Sequence, residues 1–157
     1  MKVNLNRINQ NYLFEVTNDN GHKVLLDNKS KKEGKVEGAS PMELLLAALA
    51  GCSGIDIIAI LNKQKINPTD LKMDVEGERI PNVAPSLFYK IKVNVRLEGD
   101  IPPEKAKRAV CLSFDKYCSV AKTLEYETPI KYSIFLNGAE FWKNILKQRL
   151  YEHKWNA

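Results

Sequence analysis

Apolar and polar residues alternate along several short stretches of the chain and recur at helical spacing along two others. Tyr12, Phe14 and Val16 alternate with polar or differently sized neighbours, and Val24 to Leu26 follows. Between them lies Asn18-Asp19-Asn20-Gly21, which predicts a hairpin with Gly21 supplying a positive φ. Residues 27–39 are polar and contain glycine, the pattern of a mobile loop. Leu71, Met73 and Val75 alternate, as do Leu87, Tyr89, Ile91, Val93, Val95 and Leu97, the clearest strand pattern in the chain. Glu98-Gly99-Asp100 reads as a turn, and Ile130, Tyr132, Ile134 and Leu136 form a last alternating run closed by Gly138.

The helical stretches carry their own start signals. Ser40 is a good N-cap, Pro41 suits the first helical position, and Glu43 completes a capping box. This helix is expected to run to about Gln64. Its first half is apolar all round, which predicts a place at the centre of the molecule. Pro102-Pro103 opens a second helix, with Ala106, Val110, Phe114, Tyr117, Ala121 and Leu124 on one stripe and lysines and acids opposite. Ala139 to about Glu152 suggests a short terminal helix. Strands, helix, strands, helix, strand, helix is the order of an α+β fold, with an antiparallel sheet covered by two main helices.

Composition narrows the class. The chain has 157 residues, 44% of them hydrophobic and 27% charged. That suits one domain over 1–157 with a self-sufficient core. The net charge of +5 comes mostly from Lys. The densest cluster, Lys29, Lys31, Lys32 and Lys35, alternates with acids and glycine, the pattern of a solvated loop. Nucleic-acid binding would want Arg and aromatics interleaved on one face. The first ten residues lack the apolar core of a signal peptide. The longest apolar run is interrupted by Asp56 and diluted by Ser53 and two glycines, so a buried helix is expected rather than a membrane span. A cytoplasmic protein is the expectation.

The three cysteines, Cys52, Cys111 and Cys118, are too few and odd in number for a disulfide framework. Cys52 lies mid-helix among Ala50, Gly51, Ser53 and Gly54. Glycines inside a helix cost roughly 1 kcal/mol each against Ala, so they point to a close backbone approach or to access to the sulfur. An inert buried Cys is the plain alternative. Cys111 and Cys118 are seven residues apart, about 10.5 Å along a continuous helix, too far to bridge one another. Either could reach Cys52 if the two helices pack together; Cys118 falls directly on the stripe through Phe114 and Ala121 and Cys111 beside it, which slightly favours Cys118 without deciding.

Three polar residues are candidates to support a reactive thiol. Glu43 stands nine residues before Cys52, about 13.5 Å of rise and half a rotation away, so it is out of reach of that thiol within its own helix. Asp56, four residues after Cys52, shares its face. A bare carboxylate there quietens a thiol, and it helps only by holding a cation near the sulfur. Arg79, following the 71–78 strand, is the best placed of five arginines. Other signatures are missing. The nucleophile elbow needs Gly where Ile55 stands, His22 and His153 are isolated, and there is no phosphate-binding glycine loop.

The run GASPMELLLAALAGCSGIDIIAIL, followed by LSFDKYCSVAKTL, resembles the OsmC/Ohr family. The forms PMELLLAALAGC and DKYCSV, with Gly21-His22, Asp27 and Glu78-Arg79, are most similar to its YhfA-like branch. The resemblance covers about residues 1–136, leaving 139–157 as a C-terminal extension. It implies an α+β fold built as an intertwined homodimer whose active sites draw on both chains. It also implies a thiol peroxidase acting on organic hydroperoxides. By motif, Cys52 matches the peroxidatic cysteine and Cys118 the resolving one, whereas Cys111 matches no catalytic position. Better-studied members carry Glu directly after the motif Pro. Here Met42 fills that place and Glu43 follows.

The expected function is therefore a dithiol peroxidase needing no metal or other cofactor, reset by an external dithiol reductant. Its alternative is a non-enzymatic dimer on the same scaffold that binds a small apolar ligand or responds to redox state.

Overall fold

A computed structural model of the chain describes residues 1–28 and 35–144. It forms two compact units, 1–47 and 48–157, and the boundary falls inside the first helix.

The first unit holds a three-stranded antiparallel sheet in chain order: β1 (Val3–Arg7), β2 (Phe14–Asn18) and β3 (Lys23–Leu26). The β2–β3 hairpin follows the sequence expectation, with Phe14 opposite Leu26 and Val16 opposite Val24. Asn18 builds the turn. Its side-chain oxygen accepts from the Asn20 and His22 amides at 2.9 and 3.0 Å, and Gly21 takes φ +81°. β1 is an addition to that expectation, and its Val3 and Leu5 are exposed. The polar 27–39 loop is described only at its ends, since 29–34 lie outside the described residues. There Asp27 accepts from the Glu37 amide at 3.0 Å. Gly38 lies so close to the Leu25 carbonyl that a Cβ would stand 2.7 Å from it, and only glycine fits.

Helix α1 spans Pro41–Lys63. Its capping box is reciprocal. The Ser40 amide donates to Glu43 Oε2 at 2.8 Å, and the Glu43 amide donates to Ser40 Oγ at 3.3 Å. α1 is long and apolar enough to cross a bilayer by length and composition alone. In this fold a line of residues four apart, Leu49, Ser53, Ile57 and Leu61, is buried. The expectation of a helix enclosed on every side is corrected, because Ile55 remains 73% exposed and Leu45 is also exposed. One chain supplies a sheet for one face of the helix, and an all-round apolar sequence has more to cover than that.

The second unit is a four-stranded sheet, β4 (Asp70–Arg79), β5 (Phe88–Glu98), β6 (Ile130–Leu136) and β7 (Ala139–Lys143), in that order. β4–β5 and β6–β7 are antiparallel. β5 and β6 run parallel, so the sheet is mixed rather than purely antiparallel. The long connection between them carries the second helical region, and a parallel pair requires such a crossover. Ile91, Val93, Val95 and Leu97 of β5 are fully buried and face β6 residues Ile130, Tyr132, Ile134 and Leu136 in register.

Two helical expectations change. Residues 139–143 are a strand, not the start of a helix, and 145–152 lie outside the described residues. The reason is Asn137-Gly138, both at positive φ (49° and 84°), which turns the chain back onto β6 as a tight hairpin. The second helix is also not continuous. α2 (Pro103–Leu112) passes into a π-helical turn at Ser113–Tyr117, the chain extends at Cys118 (ψ 102°), and α3 (Ser119–Leu124) follows. The wider π turn rotates Tyr117 out to 50% exposure, off the apolar stripe, while Phe114, Cys118 and Ala121 stay buried.

Candidate active site

Cys52 enters the site from the middle of α1, and Ser53 beside it anchors the helix. Ser53 Oγ donates to the Leu49 carbonyl at 2.7 Å, satisfying a buried hydroxyl, and lies 3.9 Å from Met73 Sδ of β4. The Ser53 carbonyl also accepts from Ser113 Oγ at 3.2 Å. This buried hydrogen bond ties the π turn directly to α1 next to Cys52. Neither serine was among the sequence candidates. The available signal was a small polar residue on an apolar face in each helix.

The break at Cys118 then presents its side chain to α1. Cys118 acts as the N-cap of α3, with its Sγ accepting from the Ala121 amide at 3.4 Å. The Cys52 and Cys118 sulfurs and an Asp56 carboxylate oxygen all lie within 4.8 Å of one another. Cys118 is fully buried, whereas Cys52 and Asp56 are half-buried. Burial, with the neighbouring Cys52 adding to it, pushes the Cys118 thiol up to about 11, so it stays protonated at neutral pH. Asp56 Oδ2 is buried and has no hydrogen-bond partner among the described residues.

The sequence candidates separate clearly. Cys52, Cys118 and Asp56 come together. Glu43 is engaged by Ser40 in the capping box. Arg79 donates from Nε to the Ser86 carbonyl at 2.9 Å, across the turn joining β4 to β5. Cys111 belongs to a different group. It is half-buried on α2 beside the buried Tyr132 hydroxyl, which donates to Asp115 Oδ1 at 3.2 Å. Burial raises the Cys111 thiol as well, and the Asp115 charge reinforces that.

The two glycines around Cys52 leave space rather than enabling tight packing. A Cβ at Gly51 would meet nothing within 4 Å, and one at Gly54 would make ordinary contact with Leu71 and Met73. They border an apolar groove of about 730 Å³ between α1 and β4, lined in part by Ala50, Ile55, Leu71 and Met73.

Comparison with known proteins places this architecture. Residues 32–133 match the family model described as OsmC-like protein. Protein YhfA of Escherichia coli is 39% identical over 114 residues, covering 72% of this chain and 81% of that protein. A hypothetical protein from Aquifex aeolicus superposes with a TM-score of 0.75 at 28% identity, covering 86% of this chain and 94% of that one. An organic hydroperoxide resistance protein OsmC from Legionella pneumophila has the same fold, with a TM-score of 0.63 at 19% identity over 86% and 97% of the two chains. The PMELLLAALAGC helix and all three cysteines fall within the matched region, and the chain belongs to the OsmC-like family.

Proposed function

We propose that the protein reduces organic hydroperoxides with a Cys52–Cys118 dithiol. The observation that carries this reading is the approach of two sulfurs from separate helices to within 4.8 Å. The reaction runs in three steps. The Cys52 thiolate attacks the O–O bond, forming a sulfenic acid and, with a proton from solvent, releasing the alcohol. The Cys118 thiol then condenses with the sulfenic acid, forming the disulfide and releasing water. An external dithiol reduces the disulfide, becoming oxidised itself. A bond of about 2.05 Å needs the sulfurs to close further.

The structural relatives support the substrate class, since the Legionella pneumophila protein is an organic hydroperoxide resistance protein. The protonated Cys118 suits a resolving role, in which the thiol waits for the sulfenic acid rather than competing for peroxide. The working unit is a homodimer in a reducing compartment. Ile55, 73% exposed on an apolar helix, is a residue that such pairing would cover.

The test is hydroperoxide consumption with dithiothreitol as reductant, for wild type and for Cys52→Ser, Cys118→Ser and Cys111→Ser. Cys52→Ser should lose on the order of 10³-fold or more in turnover. Cys118→Ser should accumulate a sulfenic acid trappable by dimedone. Full turnover by Cys52→Ser sinks the proposal, and loss of the disulfide only in Cys111→Ser assigns the wrong partner. The apolar groove beside Gly51 and Gly54 favours a second reading, a non-enzymatic binder of a small apolar ligand. Negligible wild-type turnover with an ordinary Cys52 thiol pKa would select that one.

A further inference from the structure

The disulfide chemistry uses the two sulfurs and leaves Asp56 without a task. Asp56 is held one helical turn from Cys52 on the same face of α1, and its Oδ2 is buried with no partner among the described residues. A buried, unpaired carboxylate oxygen is costly and calls for a cation. The three ligand atoms converge from two elements, α1 and the start of α3, within 4.8 Å of one another. They are the only such group of three among the described residues.

We propose that the reduced protein binds one Zn²⁺ per chain through Cys52 Sγ, Cys118 Sγ and an Asp56 carboxylate oxygen. The donor set fits the ion. Two thiolates and a carboxylate are ordinary zinc ligands, and three protein ligands leave a fourth position for water. Tetrahedral coordination with Zn–S of about 2.3 Å puts two sulfurs about 3.8 Å apart, so the two sulfurs need to close by about 1 Å at most. Cys52 is half-buried and provides the way in. Zinc takes cysteine ligands as thiolates, so the ion competes with protons for the sulfurs. The ion is a ligand of the resting dithiol rather than a cofactor of its chemistry. It ties up the sulfur lone pairs that would attack a peroxide, and forming the disulfide removes the site. This inference rests on the positions of three side chains and not on the peroxidase reading.

The experiment titrates Zn²⁺ into the fully reduced, reductant-free protein against a chromogenic chelator. A parallel titration with Cd²⁺ follows the near-ultraviolet thiolate-to-metal absorption. One equivalent should bind, with an absorption proportional to two thiolates. Cys118→Ser and Cys52→Ser should each halve that absorption, and Asp56→Asn should weaken Zn²⁺ binding on the order of 100-fold. Cys111→Ser should leave both readouts unchanged. Because a variant could lose its fold, folded wild type blocked with iodoacetamide serves as a second negative and should bind no metal. The proposal is overturned if wild type shows no thiolate absorption with Cd²⁺. It is equally overturned if Cys118→Ser or Asp56→Asn binds Zn²⁺ as tightly as wild type, or if Cys111→Ser is the variant that loses the site. A peroxidase-negative protein that still binds the ion would separate the two proposals.

Discussion

The second unit holds two cysteine–carboxylate groups only seven residues apart in sequence, and they are built on opposite principles. Around Cys111, the polar atoms are paired. The Tyr132 hydroxyl donates to Asp115, the Asp115 residue is open to solvent, and the Tyr132 ring stacks on Phe114 with centroids 4.4 Å apart. Around Cys118, a second sulfur stands within 4.8 Å and a buried carboxylate oxygen has no partner among the described residues. Both thiols are raised by burial. Reactivity is therefore not read from a thiol's burial or from a nearby acid. What differs between the two groups is what remains unsatisfied and whether a second sulfur stands nearby, and the proposed dithiol rests on that difference.

The contrast can be broken at several points. The largest effect belongs to Phe114, which is buried in the π turn between Cys111 and Cys118 in sequence and stacks on Tyr132. Phe114→Ala should lose about 3–5 kcal/mol of stability in urea unfolding and loosen both clusters together.

Next comes the titration of Cys118. Its thiol moves from 9.0 to about 11 on folding, so in the folded wild type alkylation of Cys118, located by peptide mass spectrometry, should be roughly 100-fold slower at pH 8 than in the unfolded chain. The rate should keep climbing with pH until about 11. A plateau near 9 would remove the distinction between the two thiols' settings. The linkage has a definite sign. Because the folded thiol is the weaker acid, its stabilising contribution is complete below about pH 9 and is lost as pH rises toward about 11, and Cys118→Ala should flatten that decline.

Ser113 is a positioning residue, tying the π turn to α1 beside Cys52. Ser113→Ala should cost about 1 kcal/mol. It should also slow Cys52–Cys118 disulfide formation by about fivefold, the kinetic equivalent of that energy. Unaltered disulfide formation in a destabilised variant would give Ser113 a purely structural role. The smallest effect on the dithiol is expected from Tyr132→Phe. It removes the bond to Asp115, with about 1 kcal/mol of stability at stake, and should leave the disulfide rate unchanged.

Much of this was legible along the chain. Alternation marked β2 to β6, Ser40-Pro41 with Glu43 marked the start of α1, and Gly21 marked the hairpin, because each signal acts over a few neighbouring residues. Even the missed β7 had a local cue in Asn137-Gly138. The second helical region was harder. Ala106, Val110, Phe114 and Ala121 keep helical spacing through the π turn, so the pattern alone conceals one extra residue and the extended Cys118.

The sequence by itself determined the family, the α+β class, and that Cys52 stands in an open stretch of a long apolar helix beside Asp56. The apolar stripe slightly favoured Cys118 over Cys111 as the partner of Cys52 without deciding between them, and the resemblance pointed to Cys118. The tertiary structure decided their geometry. A parallel β5–β6 pair needs a crossover, the π turn within that crossover redirects the chain, and Ser113 ties it to α1, so Cys118 faces Cys52 and Asp56 while Cys111 faces Tyr132. Local patterns specify which face of an element is apolar. Which two faces meet is set by the packing of elements distant in sequence, and the separation of two sulfurs depends on that packing.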